Sequence, residues 1–127
     1  MKDLKVLVVD DEEEFVSALV ERFTLRDIYA VGVTDGKLAV ERVSEHDFNT
    51  VILDIKMPGI DGLEVLKALL SLKPKLKIFI ITGYGSTDLG ADGLKAGAVA
   101  YLPKPIKINN LIQMMRESLD NDGESSE

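Results

Sequence analysis

Val51-Ile52-Leu53-Asp54-Ile55-Lys56-Met57-Pro58-Gly59-Ile60-Asp61-Gly62 is an apolar run that ends in a carboxylate and passes at once into a breaker-rich loop. An apolar run bounded by turn residues reads as a strand buried on both faces, although periodicity alone leaves a short helix open. Pro58-Gly59 and Asp61-Gly62 are turn signals, so the chain leaves the strand within a few residues of Asp54. Asp54 then stands at the carboxyl end of a central strand, where open α/β sheets hold their ligands. Aspartate also opens ordinary turns, and this stretch taken alone supports both readings.

On the amino-terminal side, Leu4 to Val9 is β-branched and apolar and ends in Asp10-Asp11. Glu12-Glu13-Glu14 follows, and then Phe15, Val16, Leu19, Val20 and Phe23 recur at helical spacing. Acids at a helix amino terminus suit its dipole. That does not account for the two that precede the helix. A second strand is expected over residues 29–33, and a helix carrying Leu38, Ala39, Val40 and Val43 to about Glu45. His46, the sole histidine, sits at that helix's carboxyl end, where the dipole favours a solvated imidazole; no relay or ligand partner lies near it in sequence.

On the carboxyl-terminal side, Leu63, Leu66, Leu69 and Leu70 mark a helix that must stop before Pro74. Lys77 to Ile81 is the next strand, leading into Thr82-Gly83-Tyr84-Gly85. The segment from about Ser86 to Ala96 reads as a short helix weakened by Gly90 and Gly93, at about 1 kcal/mol each relative to alanine. Two readings of these glycines stand: a loosely ordered, bistable helix, or close packing against a neighbour. Gly97 is placed as a helix cap. Val99 to Leu102 gives the last strand, ending in Pro103-Lys104-Pro105, and Ile108, Leu111, Ile112, Met115 and Leu119 give a final amphipathic helix. From Asp120 the chain is polar and acidic, and residues 120–127 read as a tail or the start of a linker after a domain spanning 1–119.

Five strands alternating with helices imply one α/β domain with a doubly wound, five-stranded parallel sheet. A length of 127 residues suits one core. Fifteen Lys and Arg against 22 Asp and Glu give a net charge of −7, which argues against direct nucleic-acid binding and against an anionic membrane surface. The absence of cysteine excludes disulfides and thiolate metal sites. Neither a secretory signal nor a membrane-length apolar run is visible, so a cytoplasmic protein is expected.

Polar residues stand at the ends of four expected strands: Asp10-Asp11, Asp54, Thr82 and Lys104. With strand order 2-1-3-4-5, all four converge on one crevice. Three carboxylates there repel one another unless a cation intervenes, and an all-oxygen set suits magnesium. A carboxylate nucleophile, a divalent metal, a lysine and a hydroxyl together fit phosphoryl transfer onto Asp54.

From about residue 3 to residue 119 the chain resembles a receiver domain of the two-component response regulators, similar to the chemotaxis regulators. The residues that carry the resemblance are Asp10-Asp11, Asp54 with Met57-Pro58 and Asp61-Gly62, Thr82-Gly83 and Lys104-Pro105. Each is weak singly, but in this order they are specific. The resemblance implies a flavodoxin-like fold and a phosphorelay phosphoprotein whose Asp54 accepts a phosphoryl group from a sensor histidine kinase or a phosphotransfer protein. It implies that Asp11 and Asp54 bind Mg2+ directly, Asp10 through water, and Lys56 by its backbone carbonyl. Thr82 and Lys104 would hold the phosphoryl oxygens, Tyr101 would be the switch aromatic, and the Lys104-Pro105 peptide would be cis. Tyr101 at a strand position also reads as a packing residue.

The resemblance further implies a domain that catalyses its own phosphorylation and slow dephosphorylation rather than a conventional enzyme. Its output would be a partner or effector domain bound through the fourth helix, last strand and last helix, with phosphorylation-dependent dimerisation also compatible. Gly83-Tyr84-Gly85 resembles receivers joined to enhancer-dependent transcription activators, although glycines after a strand also simply make turns. Two other functions compete. One is a phosphatase with an aspartyl nucleophile, but such enzymes usually carry a second Asp two residues on, where this chain has Lys56. The other is a degenerate receiver used only for binding, against which the complete acid, threonine and lysine set argues.

Overall fold

The computed structural model describes residues 3–83 and 87–125. In chain order the elements are β1 (Lys5–Val9), α1 (Glu13–Thr24), β2 (Tyr29–Val33), α2 (Gly36–Glu45), β3 (Thr50–Asp54), β4 (Lys56–Met57), β5 (Ile60–Asp61), α3 (Gly62–Leu72), β6 (Lys77–Thr82), α4 (Thr87–Ala96), β7 (Ala100–Pro103) and α5 (Ile108–Ser125). The five long strands form one sheet in the order β2-β1-β3-β6-β7, all neighbours parallel. Counting those strands alone, this is the expected 2-1-3-4-5 order. The quoted stretch supplies its middle strand.

The sequence reading did not anticipate β4 and β5, a two-residue antiparallel ribbon between β3 and α3. Lys56 pairs with Asp61 and Met57 with Ile60, so the Pro58-Gly59 turn folds back on itself. Gly59 takes a positive φ of 71°, the region that favours glycine. Asp61 then caps α3 by accepting from the Leu63 and Glu64 N–H groups, at 3.0 and 3.4 Å. Asp35 caps α2 in the same way.

Parallel strands covered on both faces need apolar side chains in both directions. Leu7, Val9, Val51, Leu53, Ile78 and Ile80 face one core, with Ala39 and Val43 of α2 and Leu66 and Leu69 of α3. Their alternates Val6, Val8, Ile52, Phe79 and Ile81 face the other, against Val16, Leu19 and Phe23 of α1 and Leu111, Met115 and Leu119 of α5. The period-two alternation within β1, β3 and β6 assigns each residue to one of the two layers.

Three points of the sequence reading concern the carboxyl-terminal third. Gly90 and Gly93 are buried, and both have a packing reason. A Cβ on Gly90 would lie 2.7 Å from Cγ of Tyr101, and one on Gly93 would overlap Cδ1 of Ile80. Tyr84, Gly85 and Ser86, to which the sequence reading assigned a turn and a helix start, lie outside the described residues. Finally, α5 continues to Ser125, past the point where polarity suggests a tail. Leu119 is buried, and propagation of an existing helix costs little once nucleated. His46 ends α2 as an exposed residue, edge-on to the Phe48 ring at 6.2 Å.

Candidate functional site

In the parallel register Val9 pairs with Leu53, so the residues that follow them, Asp10 and Asp54, leave the sheet side by side. Carboxylate oxygens of Asp10, Asp11 and Asp54 lie within 4.8 Å of one another. Asp10 and Asp54 are buried, and Asp11 is exposed. Asp10 Oδ1 accepts from the Glu12 N–H at 2.9 Å, and Asp54 Oδ1 from the Lys56 N–H at 3.0 Å. The other oxygen of Asp10 is buried and has no hydrogen bond of good geometry. It faces Lys104 Nζ at 2.8 Å as an ion pair.

Lys104 arrives from the end of β7, where its N–H donates to the Thr82 carbonyl at 2.9 Å. The Lys104-Pro105 peptide is cis, as the resemblance implies. Nζ of Lys104 sits 2.7 Å from Glu12 Oε1, 3.7 Å from Asp54 Oδ2 and 4.5 Å from the centre of the Phe15 ring. Thr82 is buried at the end of β6, opposite Pro103. Tyr101 pairs with Ile80 on β7 and is half-buried, its ring against α4 at Gly90. Asp11, Glu12, Asp54, Lys56, Gly83 and Lys104 are among the residues lining an open cleft of about 490 Å³.

Charge state follows from this packing. Burial pushes the Asp54 carboxyl up to about 6; the Lys56 N–H opposes that and the neighbouring Asp10 adds to it. Burial also raises the Asp10 carboxyl, against the pull of Lys104 and of the Glu12 N–H. For Lys104, burial alone would lower the ammonium, but Asp10 and Glu12 outweigh it and hold it above the ordinary lysine value. The chemistry of this set fits a small hard cation: convergent carboxylate oxygens, one of them buried without a hydrogen bond.

The site thus gathers Asp10, Asp11, Asp54 and Lys104, with the Lys56 backbone beside them and Thr82 at the adjoining strand end. Tyr101 stands apart, on the α4 side of β7. Two contacts escaped the sequence reading. Glu12 appeared there only as a helix-terminal acid and Phe15 as a core residue, yet both hold Lys104. A pairing across 92 positions leaves no local trace.

The family model of the response regulator receiver domain matches residues 6–116. Among curated relatives, the transcriptional regulatory protein ZraR of Klebsiella oxytoca is 34% identical over 93% of this chain, which spans 27% of that protein. Sporulation initiation phosphotransferase F of Bacillus subtilis is 29% identical over 94% of this chain and 96% of its own length. A CheY-like receiver domain protein of Methanospirillum hungatei superposes with a TM-score of 0.89 at 26% identity, covering 98% of this chain and 99% of that one. The chain spans about a quarter of the length of the first curated relatives it matches. No helix among the described residues is long and apolar enough to cross a membrane. Because the family match runs from β1 into α5, and so takes in each of the strand ends described above, the chain belongs to the response regulator receiver domains.

Proposed function

We propose that Asp54 is the phosphoacceptor of this receiver domain and that a phosphohistidine of a sensor kinase or phosphotransfer protein is its donor. The observation that carries this reading is the placement of Asp54: a buried strand-end carboxylate opening on a cleft, with Lys104 at 3.7 Å and two further acids beside it. At neutral pH a group titrating near 6 is mostly ionised, so the nucleophile is available. An Asp54 oxygen forms a bond to phosphorus as the P–N bond of the donor breaks. The electron pair of that bond stays on the imidazole, which recovers a proton from solvent. Lys104 supplies positive charge to the phosphoryl oxygens, and the Thr82 hydroxyl supplies a hydrogen bond.

Asp11, Asp54 and the Lys56 carbonyl, with Asp10 acting through water, would hold magnesium, which when bound offsets the charge of the acids and of the phosphoryl oxygens. Tyr101 and α4 would transmit the change to a partner or effector domain bound on the face of α4, β7 and α5, and dimerisation on phosphorylation would use the same face. A shallow groove at the end of β7 and the start of α5 is lined by Leu102, Ile106 and Met114, and Leu94 of α4 and Val99 just before β7 are exposed. A cytoplasmic location follows from the kinase partner.

Incubation with acetyl phosphate and magnesium tests the reading by intact mass. One phosphoryl group should be gained and then lost slowly. Continuous hydrolysis of external phosphoesters without a stable adduct would instead favour the phosphatase.

A further inference from the structure

Glu12 occupies the N-cap of α1 without capping it: its side chain accepts no helix N–H. Glutamate is not a favoured cap, and a residue there with a free carboxylate ordinarily points to solvent. This one instead reaches across the crevice to Lys104, 92 positions away, at 2.7 Å. Asp10 takes the same ammonium at 2.8 Å, while Asp54 stands farther off at 3.7 Å. An ammonium has three donors. One is directed to Glu12, Asp10 holds the same cation as an ion pair, and the Phe15 ring borders it at 4.5 Å.

We propose that Glu12 is a positioning residue that competes with the Asp54-borne phosphoryl group for Lys104, holding the lysine back in the unphosphorylated protein. This rests on the phosphoacceptor reading of Asp54. The two carboxylates that detain Lys104 differ in kind. Asp10 is buried and belongs to the acidic cluster, where a cation would share its charge. Glu12 lies outside that cluster, and its side chain is 64% exposed. Its hold on Lys104 therefore persists when the cluster is neutralised and opposes the movement of Nζ onto phosphoryl oxygens. Because water screens the pair, the effect is modest, of the order of a surface ion pair, and corresponds to about a two- to fivefold change in affinity.

The test measures binding of beryllofluoride, a tetrahedral phosphoryl mimic, by calorimetry at saturating magnesium, and separately the binding of magnesium alone. Glu12→Gln should tighten beryllofluoride by about two- to fivefold and leave magnesium affinity unchanged. Glu13→Gln removes the same charge from the next residue, which is exposed and makes no contact with Lys104, and should change neither. Equal tightening in both variants would replace the competition with a general field effect and overturn the proposal. So would an unchanged beryllofluoride affinity in Glu12→Gln, or a parallel change in magnesium affinity. A wild-type protein that binds no beryllofluoride would overturn the phosphoacceptor reading itself, which separates the two failures.

Discussion

Asp54 was legible because an apolar strand that stops on a carboxylate is a local pattern. Its electrostatic state was not, because that depends on neighbours brought in by β1 and β7. The ordinary carboxyl value is 3.8, and in the folded protein it is about 6. Between those values the folded chain binds a proton more readily than the unfolded chain. Asp54 therefore favours folding at low pH, and that contribution is lost as pH rises through about 6. The gap corresponds to roughly 3 kcal/mol, and Asp10, also raised by burial, acts in the same direction. Asp54→Asn should therefore stabilise the metal-free protein by about 1–3 kcal/mol at pH 7.5, with the difference disappearing near pH 4. Urea unfolding in a chelator at both pH values checks this. A variant less stable than wild type at pH 7.5 would mean that the burial cost at Asp54 is offset elsewhere.

At the scale of elements, strand and helix order was readable from periodicity, and the bounds of β2 and the carboxyl end of α2 fell where the pattern placed them. What could not be read was the space around α4. In sequence, Gly90 and Gly93 look like losses of helix propensity; in the fold they leave room for Tyr101 and Ile80. Alanine at either site would gain about 1 kcal/mol of propensity but push a Cβ into a packed side chain, and overpacking costs about 1–3 kcal/mol. Gly90→Ala should shift the Tyr101 ring resonances and not raise stability. Gly93→Ala meets the terminal methyl of Ile80, which Ile80→Val removes. The double variant Gly93→Ala/Ile80→Val should thus be at least about 1 kcal/mol more stable than the sum of the single effects. Additivity in that cycle would show that the Gly93 contact is relieved by other means. The ribbon of β4 and β5 was missed for a related reason: two-residue strands have no periodicity, and only the turn residues Pro58-Gly59 announced it.

For the whole molecule, the parallel order β2-β1-β3-β6-β7 turns four separated strand ends into one site. That convergence was inferable from alternation and from topology rules, and the acids, the lysine and the threonine were each visible at an expected strand end. The Lys104 contacts with Glu12 and Phe15 were not, since they depend on how α1 leaves β1 and approaches the end of β7. The two cores cover this frame on both faces of the sheet. The central claim is that the phosphoryl group resides on Asp54 as an acyl phosphate. The most direct measurement is hydride reduction of protein treated with acetyl phosphate and magnesium, followed by peptide mass mapping, because borohydride converts an aspartyl phosphate to homoserine at the modified position. Homoserine in the peptide that spans Asp54, and no reduced residue in the Asp54→Asn variant, is the predicted result. Reduction at Asp10 or Asp11, or a phosphoryl group on His46 that resists the reagent, would contradict it.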